Sequence, residues 1–303
     1  MEPANEFLIK EEKVYSGALS CRGCGWALLV RHLSSILGDE TVYVVPASCF
    51  SIISGPYPLN ELKGSIVHTL FAAAPATATG IRSALDRQGK ADSTVAVLAG
   101  DGGTFDIGIQ SLSGAATRGE NILYVCNNNG AYMNTGIQTS TATPYGAVTT
   151  TNPVMHYKNT WPKDLMGIIA AHNIPYAATA SLAHMEDYRR KIKKAKETKG
   201  FRLLMIDGPC PPGHKTEPEE SISVSRLAVE TNLFPLFEVE HQRYTINYFP
   251  DKRIPVEECM KLQGRFRHLF KNGSQEIIQQ VQEYTDRNWN RLKELHTNNS
   301  QNK

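Results

Sequence analysis

The chain predicts an α/β protein with a mainly parallel sheet flanked by helices. Two observations lead there. Short runs rich in β-branched residues alternate with longer helical segments along the chain. Polar, glycine-bearing or cysteine-bearing clusters follow directly at four predicted strand ends, SCF at 48–50, GDGG at 100–103, CNNN at 126–129 and PC at 209–210. In open parallel sheets ligands gather outside the carboxyl ends of the strands. That coincidence suggests one site built from distant parts of the chain.

Taken in order, WALLVRHLSSIL (26–37) reads as an amphipathic helix entered from a CxxC turn, and TVYVVPASC (41–49) as a strand ending in a small-residue loop. Residues 68–89 read as an alanine-rich helix, interrupted or kinked near Pro75. STVAVLAG (93–100) is an apolar strand; a glycine-rich turn, a helix over 107–118 and the strand NILYVC (121–126) follow. The next stretch, TGIQTSTATPYGAVTTTNPVMHYKNTWP, is polar and turn-rich, and a compact domain rarely keeps so long an aperiodic segment unless it binds something or meets a partner. Helix returns at 163–172, PYAATAS is a short strand, and HMEDYRRKIKKAKETKG is a basic helix whose RRKIKKAK run reads as a solvated face. FRLLMIDG (201–208) is a strand leading into PCPPGHK, the remainder is mixed, and a polar helix occupies about 273–296. No internal repeat is visible. At 303 residues the chain is read as one domain, with 227–303 as a C-terminal extension packing on it or on partner subunits.

A formal charge of +2 gives no reason to expect a nucleic-acid or anionic-membrane partner, and no stretch approaches the ~20 apolar residues of a spanning helix. The acidic, polar N-terminus does not read as a signal peptide, so a cytoplasmic location is expected.

GDGG after an apolar strand offers backbone N–H groups to a phosphate and one carboxylate, Asp101. Beside a diphosphate that carboxylate would need a counter-ion, and Mg²⁺ with oxygen ligands is the natural one. Asn128 and Asn129 close the next strand and can supply an amide oxygen; a carbonyl from the following turn could complete the set. The plain alternative is a pair of ordinary turns. Of six cysteines, Cys21 and Cys24 share a loop in SCRGCGW, and Cys49 and Cys210 each close a strand. Four such thiolates brought together fit either structural zinc or a [4Fe–4S] cluster. Cys126 and Cys259 read as packing residues, and His214 with Lys215 as positive charge near the cysteines.

GDG at 100–102 followed by NN at 128–129 looks like the thiamine-diphosphate enzyme motif. The fuller texts GDGGTFDIGIQSLSGAATRGE and NNGAYMNTGIQTSTATPYGA closely resemble the β subunit of pyruvate:ferredoxin oxidoreductase and related 2-oxoacid:ferredoxin oxidoreductases. CRGCG at 21–25, SC at 48–49, LAVETNLFPLFEVE at 227–240 and LQGRFRHLF at 262–270 extend the likeness over nearly the whole chain.

The resemblance implies a thiamine-diphosphate-binding fold and CoA-dependent oxidative decarboxylation of pyruvate, active only with partner subunits. Carried over by position, Gly100, Asp101, Gly102 and Gly103 would cradle the diphosphate, and Asp101, Asn129 and the carbonyl of Ala131 would ligate Mg²⁺. Asn134 would face the thiazolium and substrate, with Thr135 shaping the pocket beside it. Cys21, Cys24, Cys49 and Cys210 would hold one [4Fe–4S] cluster. Implied partners are α, γ and ferredoxin-like δ subunits, or a fused equivalent, in a dimer of such heteromers, with external ferredoxin as acceptor. YSGALSCRGCG lacks the histidine often found before the first cysteine, which leaves the substrate class open. Alternatives are oxalate, phenylglyoxylate, 2-oxoglutarate or branched-chain oxoacids as substrate, or a zinc-stabilised interaction subunit without catalysis.

Overall fold

The computed structural model describes residues 9, 11–271 and 275–301. Among them, eight strands form one sheet: β1 (Thr41–Pro46), β2 (Ser65–Thr69), β3 (Thr94–Gly100), β4 (Leu123–Asn128), β5 (Tyr176–Ser181), β6 (Arg202–Asp207), β7 (Phe237–Glu240) and β8 (Arg243–Ile246). Their order is β2-β1-β3-β4-β6-β5-β7-β8. The first six are parallel, while β7 and β8 add an antiparallel edge.

The central strands are apolar throughout because both faces are covered. Along β3, Val95, Val97 and Ala99 pack into one core and Ala96 and Leu98 into the other, the period-two alternation of a strand. One face is covered by α1 (Gly25–Leu37) and α6 (Met185–Glu197), through Trp26, Leu29, Leu33, Tyr188 and Ile192. The other carries α3 (Ala74–Arg87), α4 (Ile109–Thr117) and α5 (Leu165–Ala170). The short helices α2 (Cys49–Ile53) and α7 (Pro211–His214) follow β1 and β6. Next come α8 (Ser221–Glu230), α9 (Val256–Lys261) and the long α10 (Gln275–Gln301), beneath which Val256, Met260, Phe266, Ile278 and Val281 form a third apolar cluster.

The structure departs from the sequence reading in four places. Residues 68–69 are not helical: they finish β2, which pairs with β1, and Pro75 sits in the first turn of α3, where its missing N–H does no harm. Cys49 does not end a strand. It opens α2 after Ser48, whose hydroxyl and backbone form a capping box with Ser51. Cys210 likewise precedes α7, three residues beyond the end of β6. Within the basic run, Lys191 is fully buried, its Nζ 2.8 Å from the Thr179 carbonyl and 2.6 Å from Asp187.

Candidate cofactor and cluster site

The chain runs from β1 outward to β2 and then returns to place β3 on the opposite side of β1. That reversal opens a crevice above the carboxyl ends of β1 and β3, where ligands bind in sheets of this kind. Asp101 lies there, directly after β3 and wholly buried. Burial pushes its carboxyl up to about 7, against the pull of two donors: Ser140 Oγ at 2.5 Å and the Asn129 N–H at 3.3 Å.

Asn129 follows β4, the next strand in the sheet. The atom of its side-chain amide turned toward Asp101 lies 2.8 Å from Asp101 Oδ1 and 3.0 Å from the Ala131 carbonyl. If that atom is nitrogen, it donates to both. If it is oxygen, three acceptors face one another, an arrangement that a cation would relieve. Octahedral Mg²⁺ with oxygens at ~2.0–2.1 Å sets neighbouring ligands about 2.9 Å apart, so this donor set fits the ion. Asn128 has the separate job of ordering the turn, its Oδ1 accepting from the Gly130 N–H at 3.2 Å.

The glycines have different duties. A Cβ on Gly102 would lie 2.5 Å from the Tyr132 ring, and one on Gly103 3.1 Å from Phe71, whereas one on Gly100 would meet only Ser48 at 3.9 Å. Residues Gly102–Ile107 form a π-helical turn, a wide turn frequent at functional sites. Lys163 caps its Phe105 carbonyl, and Asp106 within it accepts from Tyr132 Oη at 3.1 Å and the Thr141 N–H at 3.1 Å. The aperiodic segment after the asparagines thus folds back on the 100–107 turn. Ser140 grips Asp101, Thr141 grips Asp106, and Thr143 Oγ1 donates to the Gly130 carbonyl at 2.7 Å.

Asn134 and Thr135 form the exposed tip of a turn closed by the Tyr132–Gln138 bridge. Thr135 is engaged within the turn, its hydroxyl donating to Gln138 Oε1 at 2.6 Å.

The cysteines converge from three segments. Gly25 N–H donates to the Pro209 carbonyl at 3.0 Å, and Ser221 Oγ to the Gly23 carbonyl at 2.7 Å, which pins the CxxC loop beside Cys210. Burial pushes Cys24 up to about 11, with Cys210 and Cys21 adding to the rise. Cys49 is pushed up to about 12, again mainly by burial and then by Cys210, Cys24 and Cys21. Backbone N–H groups of Trp26 and Gly213 oppose the rise at Cys24 and Cys210 by donating to sulfur, the kind of contact that tunes thiolates in clusters. Among the described residues, no three His, Cys, Asp or Glu side chains close on a single-ion site. Cys126 and Cys259 are buried packing residues.

Sequence reasoning missed Ser140, Thr143 and Arg265 and misread His214. Burial holds His214 well below its ordinary value, so it is neutral and gives no positive charge; its Nε2 donates to the Asn129 carbonyl at 2.9 Å. Arg265 Nη1 reaches the same carbonyl at 3.4 Å.

Residues 47–206 match the family described as thiamine pyrophosphate enzyme, C-terminal TPP binding domain. Ketoisovalerate oxidoreductase subunit VorB of Pyrococcus furiosus is 43% identical over 295 residues, covering 94% of each chain. Pyruvate synthase subunit PorB of Methanothermobacter thermautotrophicus is 44% identical over 282 residues, covering 91% of this chain and 96% of its own. The fold is shared with a solved 2-oxoglutarate:ferredoxin oxidoreductase from Magnetococcus marinus, with a TM-score of 0.59, 24% identity, and 72% of this chain and 80% of that one covered. The chain therefore belongs to the thiamine-diphosphate-binding β-subunit family of the 2-oxoacid:ferredoxin oxidoreductases.

Proposed function

We propose that this chain carries thiamine diphosphate, Mg²⁺ and one [4Fe–4S] cluster in a complex that oxidatively decarboxylates pyruvate, with coenzyme A as acyl acceptor and ferredoxin as electron acceptor. The observation that carries the reading is the meeting of Asp101, Asn129 and the Ala131 carbonyl, beside a second meeting of four cysteines from separate segments. When bound, thiamine diphosphate supplies the carbanion chemistry that a decarboxylation needs.

The chain's own residues then have distinct tasks. Asp101, Asn129 and the Ala131 carbonyl hold the Mg²⁺ that anchors the diphosphate, and the N–H groups of the 100–103 turn meet its oxygens. Asn134, free at its turn tip, faces substrate, while Thr135 keeps that tip in shape. Cys21, Cys24, Cys49 and Cys210 bind the cluster that takes electrons away. Partner α, γ and ferredoxin-like δ subunits complete the machinery in the cytoplasm, and residues 227–303 serve as an extension of the single domain. No helix of the described residues is long and apolar enough to cross a membrane.

A branched-chain oxoacid is the second reading, because a ketoisovalerate subunit and a pyruvate subunit are similar to this chain at 43% and 44% identity. Anaerobic viologen reduction by the purified complex against pyruvate, 2-oxoisovalerate, 2-oxoglutarate, phenylglyoxylate and oxalate, with and without coenzyme A, separates them. Fastest CoA-dependent turnover on pyruvate is expected. Turnover on oxalate without coenzyme A would replace the proposal, and protein holding zinc in place of iron and sulfide would sink it.

A further inference from the structure

A cavity of about 360 Å³ lies beneath α10, on the sheet face covered by α4 and α5, and it borders the candidate cofactor site at Asn128, Asn129 and Gly130. That volume is in the range of small-ligand sites. Its walls are largely apolar and include Met205, Phe237 and Leu292. Of the charged side chains that interrupt them, Lys163 pairs with Asp106 and Arg291 with Asp164, which leaves Asp207 from the end of β6 and Arg265 from the segment after α9.

Neither charge has an ion-pair partner among the described residues. Arg265 is 8% exposed, and its bonds run to neutral acceptors, Gln263 Oε1 at 2.9 Å and the Asn129 carbonyl at 3.4 Å. Asp207 Oδ2 is buried with no hydrogen-bond partner among the described residues, and the Ser225 hydroxyl near this carboxyl carries no charge. Asp207 and Arg265 influence each other electrostatically yet form no ion pair. Burying charges in this state is expensive unless something else completes them.

We propose that this cavity binds a free α-amino acid with an apolar side chain, its carboxylate meeting Arg265, its ammonium meeting Asp207, and its side chain lying among Met205, Phe237 and Leu292. A plain carboxylic acid would bring its anion up against Asp207, and a plain amine would bring its cation up against Arg265. A zwitterion satisfies both. An aromatic stack of Tyr145, Trp161 and Tyr284, with ring centroids 4.2 and 4.1 Å apart, forms another wall of the cavity.

The test is calorimetric titration of the purified oxidoreductase complex with L-leucine and L-phenylalanine, and with the half-analogues 4-methylpentanoate and 3-methylbutylamine. Saturable binding of an amino acid is expected, with each half-analogue weaker by about tenfold or more. Asp207→Asn should invert the selectivity, so that the carboxylate alone becomes the better ligand. Met205→Trp, which fills the apolar part of the cavity, should abolish amino-acid binding, and it decides the question if Asp207→Asn fails to fold. No binding at millimolar concentrations, equal binding of the carboxylate alone to the unaltered complex, or unchanged binding in folded Met205→Trp would each overturn the proposal.

Discussion

Replacing Ser140 by alanine probes the proposed metal site without touching a proposed ligand. The serine is 2% exposed, and its hydroxyl donates to Asp101 Oδ2 at 2.5 Å while accepting from the Ala142 N–H at 3.2 Å. A hydrogen bond to a charged group contributes about 1.5–3 kcal/mol, and a buried acceptor left without its donor loses that in full. If Asp101 must be ionised and fixed in orientation to hold Mg²⁺, most of this loss falls on the loaded state. At about 1.4 kcal/mol per decade, the affinity of the Mg²⁺-dependent cofactor should drop roughly 10- to 100-fold. The assay is titration of cofactor-stripped complex with thiamine diphosphate at fixed Mg²⁺, read by calorimetry, alongside thermal melting. Excess Mg²⁺ should partly restore binding. A melting temperature that falls while cofactor affinity stays within a factor of about three would refute the argument, because the serine would then serve packing alone.

Gly102→Ala should lower cofactor affinity and stability together, since the new methyl would sit 2.5 Å from the Tyr132 ring. Adding Tyr132→Ala should recover part of the stability; a single variant that melts like the parent would show that the ring moves aside freely. Serine in place of Cys21, Cys24, Cys49 or Cys210 should each reduce the iron and sulfide content of anaerobically purified complex, whereas alanine at Cys126 or Cys259, both buried, should leave it intact. Loss of iron from the Cys126 variant would point to a different ligand set. Lys191 is held down to about 8 from an ordinary 10.5, chiefly by burial, so between those values the unfolded chain keeps a proton that the native chain releases. Stability therefore gains a rising component across that window, and Lys191→Met should flatten it in melts taken from pH about 8 to 10.5. Equal slopes for parent and variant would contradict the burial argument.

The sequence showed the parallel sheet and the residues at its strand ends because both have local signatures. Buried strands such as 94–100 are continuous apolar runs, and glycine and asparagine clusters stand out directly after them. β2 was hidden because SIVHT is a short edge strand running straight into an alanine-rich helix. The β7–β8 hairpin was hidden because its turn places His241 and Gln242 at positive φ, 46° and 65°, where asparagine and glycine are the usual signal. Ser140 and Arg265 carried no signal at all, and His214 carried only its nearness to Cys210. Their partners lie 39, 85 and 136 residues away, so only the fold brings them together.

The strand order also brings the proposed cofactor ligands and the four cysteines to the same end of the sheet. Across the sheet, β1, β3, β4 and β6 are consecutive neighbours. Asp101 and Asn129 follow the inner two, while Cys49 and Cys210 follow the outer two. At about 4.8 Å per strand, β1 and β6 stand roughly 14 Å apart. For Cys49 to feel the charge of Cys210, the segments after these outer strands must lean toward each other across the ends of β3 and β4. The CxxC loop fills the remaining side, because the Gly25 N–H holds it to the Pro209 carbonyl. A metal needed only to brace the fold could bind anywhere on the surface, whereas the proposed cluster would stand beside the oxygens proposed to hold a diphosphate and its Mg²⁺. Such a placement would suit short-range electron transfer, and the proposal predicts that losing any one of these cysteines abolishes oxidation while leaving thiamine diphosphate binding intact in the same calorimetric titration.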